Sequence, residues 1–111
     1  VYVSLGMWEN HWLPFGRKNV KYFNCISKYP TSLLDLEKFH FDEDIVGLSD
    51  HSYGPAYALY NIAHGAQVVE KHFTLNKGME GNDPIGSMDL AELKTIKEYG
   101  QQYNNILKVV E

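Results

Sequence analysis

The segment between residues 45 and 72 constrains this chain most. An apolar, β-branched run at 45–49 leads through a Pro55-started amphipathic stretch into a second run at 67–72. Ala56, Leu59, Tyr60 and Ala63 fall at i, i+3, i+4 and i+7, and Gly65 follows as a stop, so a helix is predicted between two strands. A helical crossover returns the chain to its starting end, which makes the two strands parallel.

Two more runs, 1–4 and 20–25, have the same character, giving four predicted strands bounded by turn residues. Val1-Tyr2-Val3, Ile45-Val46-Gly47-Leu48 and Val68-Val69 show little polar alternation, as expected of a parallel sheet covered on both faces. Asp89 with Glu92 resembles a capping box. Beyond it Leu90, Leu93, Ile96, Tyr103, Ile106 and Leu107 stripe a long final helix. A short helix through Leu33, Leu34 and Leu36 fits the connection 31–44, and residues 8–19, with Pro14 and Gly16, read as irregular. This order of elements is that of an α/β barrel or a doubly wound sheet, which periodicity does not separate. No repeat or biased linker divides the 111 residues, so residues 1–111 form one structural unit. The opening run reads as a buried strand without a polar leader, and the chain is expected to begin inside a domain.

Net charge is −4 without a lysine–arginine block, which gives no electrostatic basis for binding nucleic acid or an anionic membrane. Apolar runs are a few residues long, far below the ~20 of a bilayer span, and there is no signal-peptide pattern. One cysteine, Cys25, forms no internal disulfide, so the expected location is cytoplasmic.

The informative pair is His51 and His72. Each closes a predicted strand and one crossover separates them, so both point into one site at the C-terminal end of the sheet, where α/β barrels place their chemistry. Neighbouring strands lie about 4.8 Å apart, and a metal lies about 2.0–2.2 Å from an imidazole nitrogen, so one divalent ion can bridge them. The competing reading makes both of them rim histidines hydrogen-bonded to carboxylates such as Asp50 or Glu70. Ser4, Ser27, Tyr29 and Ser49 cluster where the strands end and are candidate donors to a phosphate or carboxylate, although hydroxyls there are also ordinary turn residues. The loop 76–87 carries Gly78, Gly81 and Gly86 around Asp83 and is either a cover bringing a carboxylate to the site or a surface turn. His11, His40 and His64 read as surface or cap residues. Cys25, with no histidine near it in sequence, reads as packing.

Val3-Ser4-Leu5-Gly6-Met7, Cys25-Ile26-Ser27-Lys28-Tyr29-Pro30-Thr31, Gly47-Leu48-Ser49-Asp50-His51, Glu70-Lys71-His72-Phe73-Thr74-Leu75 and Gly81-Asn82-Asp83 resemble, in order, motifs of the sialic acid (N-acetylneuraminate) synthase family. The resemblance runs from Val1 to about Leu107. It implies the C-terminal half of a TIM-type (β/α)8 barrel with about four parallel strands, lacking the family's first four strands and its antifreeze-like domain. It also implies condensation of phosphoenolpyruvate with N-acetylmannosamine or a related amino sugar, dependent on a divalent metal, Mn2+ or Mg2+. By resemblance, His51 and His72 are the metal ligands, Ser4, Ser27, Tyr29 and Ser49 surround phosphoenolpyruvate, and Asp83 is the catalytic carboxylate near the sugar or metal. Asn82 and Pro84 depart from the proline and histidine common beside that aspartate. A half barrel leaves two unpaired edge strands, so self-association into a homo-oligomer is expected, with negligible activity from the half alone. The rival readings are another two-histidine metal enzyme, such as a hydrolase, and a non-catalytic sugar-binding or assembly module.

Overall fold

The computed structural model describes residues 1–8, 12–15, 18–28, 31–81 and 86–110. Four strands form one sheet: β1 (Tyr2–Ser4), β2 (Lys21–Cys25), β3 (Ile45–Asp50) and β4 (Val68–Lys71). They lie in the order β1-β2-β3-β4, and every neighbouring pair is parallel. All four coincide with the predicted runs, trimmed by a residue at the start of β1 and β2 and at both ends of β4, and extended by Asp50 in β3. Helix α1 (Ala56–Ala63) joins β3 to β4, and α2 (Leu90–Val110) follows.

Register divides the sheet into two faces. Val3, Tyr22, Leu48, Asp50, Val69 and Lys71 share one face; Ser4, Phe23, Cys25, Gly47, Ser49, Val68 and Glu70 share the other. The first face carries both helices: Val69 lines a groove with Ile62 of α1 and Ile96 of α2. Here Tyr22 and Leu48 are almost wholly buried. The second face carries no helix among the described residues. Consecutive strand order with helices on one side is an arc of a (β/α) barrel. A doubly wound sheet has helices on both faces and an order that reverses at its switch point.

Asp42 begins β3 by accepting the backbone N–H groups of Asp44 and Ile45, each at 2.8 Å, which holds its carboxyl below the usual carboxylate range. Gly65, at φ 109°, ends the α1 turn in the left-handed region that glycine enters without strain.

Three helical expectations need correction. The buried face of α1 is Tyr57, Ala58 and Asn61, whereas Ala56 and Tyr60 are exposed. Tyr57 sets this rotation by inserting its ring and donating its hydroxyl to Glu37 O at 2.5 Å; Tyr60 instead stacks on His64. The 31–44 connection holds only a single 3-10 turn, Leu33–Asp35, capped by Ser32, and Leu34 points to solvent. Finally, Asp89 caps α2 through Glu92 N at 2.9 Å, but the Glu92 carboxylate pairs with Lys77 rather than closing the box. Along α2 the buried residues are Ile96 and Gly100, with Leu90 and Ile106 about half exposed.

Candidate metal and anion site

Pairing between β3 and β4 ends with Asp50 opposite Lys71, so His51 and His72 are the first residues past equivalent points of adjacent strands. Their ring centroids lie 5.9 Å apart at an interplanar angle of 61°. An ion about 2.0–2.2 Å from each ring nitrogen lies roughly 3.3 Å from each centroid, so two rings sharing it have centroids up to about 6.6 Å apart. The observed spacing lies inside that limit. Among the described residues no group of three or more His, Cys, Asp or Glu side chains gathers for a metal, which leaves the imidazole pair as the candidate donors there. Such a pair suits a first-row divalent ion that keeps other positions for water or substrate oxygens.

His51 is oriented by its neighbour strand. Its Nδ1 lies 3.0 Å from Ile26 O, and because a carbonyl only accepts, Nδ1 carries the proton and Nε2 is the lone-pair nitrogen of the neutral ring. His51 O accepts from Thr31 N at 3.0 Å, and His72 O from Met88 N at 2.7 Å, so the backbone at both histidines is also held. The rim-histidine alternative fails for Asp50, whose oxygens are taken on the opposite face by Lys71 and Ser52.

The remaining candidates divide. Cys25, Ser49 and Glu70 pair across β2, β3 and β4 in one row below the histidines. Ser4 lies on that face, accepts from Gly6 N at 3.2 Å and hydrogen-bonds the Cys25 thiol. Ser27 lies beside Gly6, where an added Cβ would meet its Oγ and the Cys25 side chain. Ser4, Ser27 and Ser49 therefore gather on the histidine face. Tyr29 and Asp83 lie outside the described residues. Glu70, in β4 two residues before His72, shares its strand parity and lies on the same face.

Cys25 does have a histidine near it in space, His51 Nδ1 at 3.7 Å from Sγ. Burial is nevertheless the largest influence and pushes the thiol pKa up, with Glu70 and Asp50 adding to the effect and Ser4 opposing it. The thiolate is the reactive form. Iodoacetamide at pH 8.5 is therefore expected to alkylate Cys25 more slowly in the native chain than in the urea-unfolded chain; an equal or faster native rate would contradict this environment.

Residues 11–111 match the NeuB family. The chain belongs to that family. It is 37% identical over 95 residues to a pseudaminic acid synthase of Campylobacter jejuni, covering 78% of this chain and 27% of that one. It is 38% identical over 87 residues to an N,N'-diacetyllegionaminic acid synthase of the same species, covering 72% of this chain and 26% of that one. The N-acetylneuraminic acid synthetase structure from Leptospira borgpetersenii, in complex with citrate, superposes with a TM-score of 0.69 at 26% identity, covering 79% of this chain and 33% of that one. The chain thus spans about a quarter of the length of these curated relatives. Its fold is a partial α/β barrel of four parallel strands, and its relatives are nonulosonic acid synthases. Among the described residues no helix is long and apolar enough to cross a membrane.

Proposed function

We propose that this chain carries the metal-binding half of a nonulosonic acid synthase site, with His51 and His72 as the protein ligands of a divalent ion, Mn2+ or Mg2+. The observation that carries the reading is the imidazole pair, 5.9 Å apart at equivalent strand ends in a family of such synthases. The reaction is condensation of phosphoenolpyruvate with N-acetylmannosamine or a related amino sugar, in the cytoplasm. A bound metal would supply Lewis acidity toward the sugar's aldehyde oxygen.

The chain's own residues orient and bind. Ile26 O holds the His51 ring so that Nε2 presents its lone pair. Ser4, Ser27 and Ser49, gathered on the same face, donate hydroxyl hydrogens to the phosphate or carboxylate of phosphoenolpyruvate. Tyr29 joins them and Asp83 acts as the catalytic carboxylate at the sugar, both by family resemblance. The sheet edges β1 and β4 are the surfaces through which the isolated chain self-associates. Condensation itself belongs to the whole synthase, because electrostatic sites of this kind lose orders of magnitude when part of their donor set is removed.

Calorimetric titration with manganese tests the reading. His51→Ala and His72→Ala are each expected to lower affinity by at least about tenfold, since a lone imidazole with exchangeable water replaces a chelating pair, while His11→Ala leaves it unchanged. Unchanged affinity in both site variants would overturn the assignment.

A further inference from the structure

The charged pair behind the histidines sits where charge is costly. Lys71 Nζ lies 3.2 Å from Asp50 Oδ2, and their side chains are 2% and 0% exposed. Lys71 also donates to Ser52 O, while Asp50 Oδ1 accepts Ser52 N at 2.8 Å and Ser52 Oγ at 2.6 Å. Removing such a pair from water consumes most of its mutual attraction, and apolar residues of similar volume often stabilise a fold as well. An apolar pair has no direction, however. A lysine with two fixed acceptors does.

The acceptors flank one residue. Asp50 precedes His51 and Ser52 follows it, so Lys71 ties the chain on both sides of His51 to the residue immediately before His72. Asp50 opposite Lys71 is also the last register pair of β3 and β4, and beyond it the strands are free to diverge. Thr31, which bridges to Ser52 and donates to His51 O, fixes the same segment from the β2 side.

We propose that Asp50 and Lys71 are positioning residues that set the separation and orientation of the His51–His72 pair from the opposite face of the sheet. The inference rests on the metal-site reading of those histidines. Neither residue touches the metal or a substrate; each acts through the backbone of the ligand next to it.

The test replaces the charged pair with apolar side chains, Asp50→Leu with Lys71→Met, with Ile96→Val as a distant destabilised control. Two readouts are taken: manganese affinity by calorimetry, and ring-proton nuclear Overhauser contacts between His51 and His72 in the metal-free chain. The folded double variant is expected to lose at least about tenfold in affinity, the range seen for residues supporting metal ligands, and to lose or weaken the ring contacts, while Ile96→Val keeps both. A folded double variant with wild-type affinity and ring contacts would overturn the proposal. Should that variant fail to fold, Asp50→Asn, which keeps the acceptor for Ser52 and removes the charge, is scored by the same criteria. If the wild-type chain binds no manganese, the metal-site reading fails by itself, and unchanged ring contacts in the metal-free variant would still overturn the positioning role separately.

Discussion

Lys71→Ala is expected to lower the unfolding free energy by about 3–5 kcal/mol, the cost of stranding one member of a buried ion pair. Asp50 would remain almost fully buried, with Ser52 as its hydrogen-bonding partner and no cation opposite it. Small domains are stable by only about 5–15 kcal/mol in total, so this single change removes a large fraction of the chain's stability. Urea denaturation followed by circular dichroism measures it. Lys28→Ala provides the contrast, because Lys28 pairs with Asp35 at 2.9 Å but with side chains 66% and 35% exposed. Exposed pairs contribute about 1 kcal/mol or less, and the Lys28 variant should unfold near the wild-type midpoint. Equal losses for the two lysines would show that the Lys71 environment is not the dry one described.

Gly47→Ala is expected to cost about 1–3 kcal/mol or more through overpacking. Gly47 lies in the middle of β3, paired with Phe23 on one side and Val68 on the other. A Cβ there would press on the Val68 carbonyl oxygen at less than 3.0 Å and meet the Phe23 ring at 3.0 Å. The obstacle is backbone, so β4 must move, and His72 moves with it. Gly100→Ala in α2 behaves differently. Its new methyl would meet the end of the Ile62 side chain at 3.1 Å, which rotates aside, and alanine gains up to about 1 kcal/mol over glycine in a helix interior. Thermal unfolding should therefore show Gly47→Ala well below wild type and Gly100→Ala near it; the reverse order would contradict the packing of β3 against β4.

The strands were legible in the sequence because each is a short apolar run closed by turn residues. His51 and His72 were legible for a related reason: a polar residue directly after such a run must lie at the sheet's C-terminal end. The barrel, as opposed to a doubly wound sheet, followed from the resemblance and then from the helices sharing one face. The rotation of α1 was hidden, since Tyr57 turns inward to reach Glu37 O, twenty residues away in the chain, and helical periodicity carries no such information. The Asp50–Lys71 pair was hidden for the opposite reason: charges are expected at the surface unless paired, and the pairing depends on strand register. The Cys25–His51 approach, across 26 residues, was equally invisible. Tyr29 and Asp83 rest on motif resemblance, being outside the described residues.

The central claim is that His51 and His72 hold one metal ion. Substoichiometric Mn2+ added to the 15N-labelled chain, followed by imidazole-detected nitrogen–proton NMR, tests it most directly, because the paramagnetic ion broadens the rings it binds before any others. The account predicts that the His51 and His72 signals disappear together at the lowest additions, while His11, His40 and His64 persist. Broadening that begins at His40 or His64, or that strikes all five histidines alike, would contradict it.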